Sequence, residues 1–290
     1  MTRTAVYDPS MAANQVTELA KSDVLSGLFG AWEVIDQLLT DLPDEQFRSP
    51  TPLPGWDVRA VVSHIIGTES TLLGSALPEV DIDVRTLKHV RNDFAAMNEC
   101  WVQHLGGQSD AELHQRFLAV TNDRRKLLAE MPDAEWNAVT MTPAGPDSYG
   151  RFMRIRTFDC WVHEHDIRDA IGRPAGDADL RGAAPRLALD EMTASMGYVV
   201  GKLGKAPDGS RILFELTGAL ARSIHVVIEG RGGVVEGFGG QLPTSMIKLD
   251  GLLFTRLAAG RVRSVPAGSI ELAGDHDVAG RVVEHLNYLI

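Results

Sequence analysis

One stretch constrains this chain more than any other: Arg156-Thr157-Phe158-Asp159-Cys160-Trp161-Val162-His163-Glu164-His165-Asp166-Ile167-Arg168. It lies in a segment that reads as helix, yet it interleaves ionisable groups with Phe158, Cys160, Trp161, Val162 and Ile167. Polar groups set among apolar helix residues need partners, because an unpaired charge or imidazole is costly away from water. At about 100° per residue, Asp159 and His163 share one face, roughly 40° apart, close enough to grip a single ion. A third donor stands in another predicted helix, Asp57-Val58-Arg59-Ala60-Val61-Val62-Ser63-His64-Ile65-Ile66. An Asp-x-x-x-His pair alone is ordinary helix surface, and a histidine among aliphatics is ordinarily a satisfied core residue. Two imidazoles and one carboxylate on facing helices, with a coordination position left open, are what a catalytic divalent metal needs.

The chain has 290 residues, enough for two domains with sizeable cores. Its 44% hydrophobic and 23% charged content is that of a soluble globular protein. A net charge of −11 argues against general nucleic-acid affinity. Cys100 and Cys160 offer no disulfide framework and suit a reducing cytoplasm. Residues 1–9 lack a signal-peptide core, and no stretch approaches the roughly 20 apolar residues of a membrane span. The expectation is an acidic cytoplasmic protein.

Residues 1–176 read as helices between short breaks. From Ala13 to Leu42, Val16, Leu19, Ala20, Val24, Leu28, Ala31, Trp32, Ile35 and Leu39 recur at helical spacing. Ser49–Gly55 is a proline-rich loop, and Asp57 is positioned to cap the helix carrying His64. Further helices are expected at Val84–Leu105, Asp110–Met131 and Arg151–Ile171, with Thr142–Gly150 a turn-rich loop and Gly172-Arg173-Pro174 a helix stop. After Gly176 a helix over Ala183–Gly201 leads into strands at Arg211–Leu216, Ser223–Glu229, Met246–Leu249 and Ser269–Leu272. Gly230-Arg231-Gly232-Gly233 reads as an inter-strand loop without the Lys-Ser/Thr of a phosphate-binding loop. Helices at Gly251–Ala259 and Val278–Leu289 complete an α+β domain over residues 177–290.

With these residues in place, the chain resembles the mycothiol-dependent maleylpyruvate isomerase family, part of the wider DinB-like metal-binding helical bundles. Leu53-Pro54-Gly55-Trp56-Asp57-Val58 followed by His64 is similar to that family's first ligand helix. The acidic residue, His four later and Asp three after that, within Arg156–Asp166, is the second match. Family members often carry Glu where this chain has Asp159, a shorter arm. Leu249-Asp250-Gly251 and Leu257-Ala258-Ala259-Gly260-Arg261 resemble the family's sterol-carrier-protein-like C-terminal domain. The resemblance implies a DinB-like four-helix bundle followed by a smaller α/β domain. It also implies zinc on His64, Asp159 and His163, with Asp166 as a partner of a ligand. A further implication is mycothiol, a thiol of actinobacteria, as cosubstrate, with Arg261 a candidate to hold its acidic or sugar portion.

Zinc with three protein ligands leaves a fourth position for a thiol, which it would deprotonate. Thiolate addition to a small electrophile then gives an isomerase or a transferase. Cys160, about 100° around the helix from Asp159, reads as core packing, and His165, about 200° from His163, should not reach the same ion. The competing reading is a metal-stabilised binding or regulatory module, its C-terminal domain holding an apolar or lipid ligand. Such a site would be closed by a fourth side chain, with His165 or Glu164 of a partner chain as conceivable donors.

Overall fold

The computed structural model describes residues 16–262 and 264–288. Ala13 at the predicted start of the first helix, Leu289 at the predicted end of the last, and the N-terminal nine residues lie outside them. Helices α1 (Lys21–Leu39), α2 (Asp44–Phe47), α3 (Val58–Leu72), α4 (Asp93–Leu105), α5 (Asp110–Glu130), α6 (Asp133–Trp136) and α7 (Tyr149–Ile171) come first. A small hairpin, β1 (Val139–Thr142) and β2 (Gly145–Ser148), precedes α7. Next come α8 (Ala183–Tyr198), β3 (Arg211–Thr217), β4 (Arg222–Glu229), β5 (Arg231–Val235), β6 (Ser245–Asp250), α9 (Gly251–Ala258), β7 (Ile270–Gly274) and α10 (His276–Glu284).

Four long helices, α1, α7, α3 and α5, pack in a closed ring, with α4 lying outside on α3. At α3, α5 and α7 the start is set by a short polar side chain that satisfies an otherwise orphaned helix N–H. Asp57 accepts from Ala60 N at the head of α3, Ser148 accepts from Arg151 N at α7, and Ser109 with Glu112 forms a capping box on α5. Val24, Leu28, Ala31, Trp32, Ile35 and Leu39 of α1 face the bundle core, which also takes Val61, Ile65, Leu113, Phe117, Met153, Cys160 and Ile167. A second core joins Ile212, Phe214, Ile224, Val226, Ile247, Leu249 and Phe254 of the C-terminal layer to Leu189, Met192 and Met196 of α8. Phe158, Trp161 and Val162 of α7 belong to this second core. Helix α7 is therefore enclosed on two sides, which explains why its apolar residues do not keep to one stripe. At about 1.5–3 kcal/mol per large buried apolar side chain, both contacts count heavily in holding it there.

The five-stranded sheet runs β5-β4-β3-β6-β7, with β3 and β6 parallel and every other neighbouring pair antiparallel. Helices α8, α9 and α10 cover the sheet. Among the described residues, no helix is long and apolar enough to cross a membrane.

Several expectations change. Only the second part of Val84–Leu105 is α-helix; Val84–Thr86 is a single 3-10 turn, and α4 starts at Asp93 behind its cap Asn92. The Thr142–Gly150 loop holds the turn and second strand of the β1–β2 hairpin, which pairs Val139 with Ser148 and Thr142 with Gly145. Pro143 and Ala144 form its tip, and Gly145 takes a φ of +100°. Pro146 in β2 and the shortness of both four-residue strands hid this hairpin from periodicity. The Gly230–Gly233 run is largely the edge strand β5, not a loop. A Cβ on Gly232 would lie 2.0 Å from the Gly197 carbonyl of α8, so the glycines allow helix and strand backbones to touch. The helix predicted to Gly201 ends as α-helix at Tyr198 and continues as a π-helical turn, Val199–Leu203.

Candidate metal centre

The ring of helices brings α3 and α7 side by side. His64 Nε2 lies 3.2 Å from Asp159 Oδ2, and His163 Nε2 lies 3.5 Å from Asp159 Oδ1. One donor atom from each of the three residues falls within 4.8 Å of the other two. Bonds of about 2.0–2.1 Å at tetrahedral angles put neighbouring donors about 3.3 Å apart, so this set fits a zinc-sized ion. The two imidazole rings meet edge to face at 4.9 Å, and the indole of Trp56 lies 5.5 Å from His64 and 6.3 Å from His163. Both histidine side chains are only 7% exposed, whereas Asp159 is 30% exposed. Access to the cluster is therefore from the carboxylate side.

The electrostatics favour ligation. Burial lowers the pKa of His64 despite the pull of Asp159, so its imidazole is neutral and keeps a lone pair at neutral pH. Burial acts to lower His163 as well, but the carboxylates of Asp159 and Asp166 outweigh it and its pKa rises. Burial would raise Asp159, yet Arg156 and the two imidazoles hold its carboxyl well below the usual range. Arg156 Nη1 donates to Asp159 Oδ2. The remaining arms of Arg156 reach Glu69 Oε1 at 2.8 and 2.9 Å, and Arg124 Nε donates to Glu69 Oε2 at 2.9 Å. On the other side, His163 Nδ1 donates to Asp166 Oδ2 at 3.1 Å.

The C-terminal layer closes on the same carboxylate. Arg261 donates to Asp166 through Nε at 3.1 Å and Nη2 at 3.0 Å, and its Nη1 donates to the Ala259 carbonyl at 2.5 Å. Arg256 Nη1 donates to Asp166 Oδ1 at 3.1 Å. Arg261, read from sequence as a candidate thiol contact, thus has its guanidinium on Asp166 and is 11% exposed. His165 and Glu164 do not join the cluster: both are buried, and Glu164 accepts from Arg168 Nε at 2.7 Å. That removes them as surface donors to a neighbouring chain. Cys160 is fully buried with Arg156 Nη2 at 3.6 Å, and burial pushes its thiol up to about 12.

Sequence reasoning missed Arg156, Glu69, Arg124, Trp56 and Arg256 as members of this region. Glu69 left a trace, a carboxylate among Ile65, Ile66 and Leu72, since a helical charge in that setting requires a partner. Arg124 and Arg256 lie far along the chain and left none. Trp56 donates from Nε1 to the buried Glu99 at 3.0 Å, as His89 Nε2 approaches the same oxygen at 3.0 Å, so the indole is held against the histidines from behind.

Comparison with known proteins places this geometry. An uncharacterized protein of Mycobacterium tuberculosis, in strains ATCC 25618 / H37Rv and CDC 1551 / Oshkosh, is 25% identical over 189 residues, 63% of this chain and 68% of that protein. The crystal structure of the mycothiol-dependent maleylpyruvate isomerase superposes with a TM-score of 0.58 at 15% identity, covering 88% of this chain and 93% of that one. A histidine-to-alanine mutant of the same enzyme gives 0.57 over the same shares. At that identity the likeness establishes a common fold, a helical bundle followed by an α/β domain. The family model described as the mycothiol maleylpyruvate isomerase N-terminal domain matches residues 28–168. Those residues contain His64, Asp159 and His163, so the stretch that is similar to the mycothiol maleylpyruvate isomerase N-terminal domain is the one that carries the cluster.

Proposed function

We propose that this protein is a zinc-dependent, mycothiol-using isomerase or S-transferase acting on a small electrophile, with maleylpyruvate isomerisation as the nearest chemistry. The carrying observation is the convergence of His64, Asp159 and His163 on one point that is open on the Asp159 side. A divalent ion there would act as a Lewis acid that deprotonates a bound thiol, whose free pKa near 8.5 leaves it mostly protonated at neutral pH.

The chain's own residues do the rest. His64 and His163 offer lone pairs and, with Trp56, keep water from two sides. Asp159 contributes the negative charge and marks the entry edge for thiol and electrophile. Cys160 is unsuited as a nucleophile, being buried and held protonated, so the thiol comes from outside. Addition of that thiolate to a cis double bond leaves a single bond free to rotate. Elimination then returns the trans isomer and the thiol, whereas release of the adduct makes the reaction a transfer. We place the metal chemistry in residues 1–176 and assign selection of the thiol to the polar surface that residues 177–290 add to it.

Metal analysis combined with a conjugation and isomerisation screen, using mycothiol against a panel of activated alkenes, epoxides and halides, tests the proposal. About one divalent ion per chain is expected, and cobalt-substituted protein should gain a thiolate charge-transfer band on adding mycothiol. Metal-supplemented protein that binds no ion, or shows neither band nor turnover at saturating thiol, ends it.

A further inference from the structure

Asp166 is the meeting point of the two layers. Its side chain is fully buried, and its two oxygens accept from His163 Nδ1, Arg256 Nη1, Arg261 Nε and Arg261 Nη2, all at 3.0–3.1 Å. A carboxylate has about four lone-pair sites, so its accepting capacity is filled. One of those bonds comes from a residue of the metal cluster, and three come from the layer that follows residue 176. Arg256 is additionally tied to α7 through Asp169, and Arg261 is fixed within its own layer by the Ala259 carbonyl, so each guanidinium has a second anchor besides Asp166.

We propose that Arg256 and Arg261 are positioning residues for His163, acting through Asp166, so that the C-terminal layer completes the metal centre without touching the metal. This rests on the metal site argued above. The physics is that of a ligand histidine whose second nitrogen is anchored. Because Asp166 accepts from Nδ1, that nitrogen is the one that carries the proton in a ligating imidazole, which leaves the Nε2 lone pair aimed at Asp159 and His64. Two guanidiniums bonded to Asp166 leave neither of its oxygens free to turn away from His163. Their forked, pre-set geometry fixes the direction of the carboxylate and with it the plane of the imidazole. Without them, the one remaining partner of Asp166 in this set would be His163, the carboxylate would be free to turn, and His163 could adopt the Nε2–H tautomer that cannot ligate.

The test uses the full chain with Arg256→Gln, Arg261→Gln and the double substitution. Zinc affinity is read by chelator competition, and the His163 tautomer is read in metal-free protein by long-range proton–nitrogen NMR. The double variant is expected to bind zinc about 10–100-fold more weakly, the cost typical of losing a ligand's anchor, and to lose the uniform Nδ1–H signal. Arg261→Lys, which keeps the charge but not the fork, should fall between wild type and Arg261→Gln. Asp166→Asn serves if the double variant does not fold, with the same expected loss. Arg154→Gln breaks an ion pair of similar burial to Glu191 on α8, away from His163, and should leave zinc affinity unchanged. Wild-type zinc affinity and an unaltered tautomer in the double variant would overturn the proposal, as would an equal loss in Arg154→Gln. If the wild-type chain binds no zinc, the metal reading fails by itself, and the tautomer still reports whether the arginines set His163.

Discussion

Two clusters of ionisable groups adjoin along α7, and they are built in opposite ways. In the first, Glu69 lies between Arg124 and Arg156, with side chains 0–5% exposed and both carboxylate oxygens bonded to guanidinium nitrogens. In the second, His64, Asp159 and His163 turn acceptor atoms toward one another, and one of the three is partly open to solvent. Cations and an anion that pair with each other present no converging lone pairs to a ligand, and their removal is felt as lost stability. Converging lone pairs do need one, and their removal is felt as lost ligand. Arg156 joins the two, donating to Glu69 and to Asp159, so the closed network fixes the carboxylate on which the open one depends.

That contrast can be broken by mutation. The largest effect on folding is expected from Glu69→Ala, which strands two buried arginines. Breaking a buried pair in this manner costs about 3–5 kcal/mol. Urea denaturation should report it with or without zinc present, and a loss below about 1 kcal/mol would show that water or rearrangement already supports these charges. His64→Ala should do the reverse. It should abolish stoichiometric zinc at neutral pH, because two remaining ligands rarely retain the ion. Yet the metal-free protein should lose far less stability than Glu69→Ala, since His64 Nδ1 has no hydrogen-bond partner to lose among the described residues. Full metal occupancy in His64→Ala would remove it from the site.

The smallest effect on metal binding belongs to His165, the histidine on the side of α7 away from the cluster. Burial, with Arg256 and Arg168 nearby, lowers its pKa to about 3. Its folded value lies below the unfolded value near 6.5, so the unfolded chain binds the extra proton. Its contribution is therefore complete above pH 6.5 and is lost as pH falls toward 3, at no more than about 1.4 kcal/mol per unit. His165→Gln should flatten the stability profile between pH 6 and 4 without changing zinc affinity. An unchanged profile would mean that His165 reaches solvent when the protein is acidified.

The fold class was legible because periodicity reports burial: α1 and α5 carry helix-spaced apolar residues, and β3, β4 and β6 alternate. The β1–β2 hairpin and the β5 edge strand were not, because the strands are short, Gly and Pro interrupt β2 and β5, and their pairing depends on what they pack against. Within the site, Asp159 and His163 were found by a spacing of one helical turn, and His64 by its apolar setting.

The sequence alone determined which side chains could ligate and which elements carry them, since helical spacing and the cost of burying charge are local properties. Only the tertiary structure decided that α3 stands beside α7, that Arg156 and Glu69 hold Asp159 from within the bundle, and that Arg256 and Arg261 reach back to Asp166. Those last contacts join residues 90 and 95 positions apart in the chain. No repeating pattern encodes such a meeting; it arises when two cores close on opposite sides of one helix.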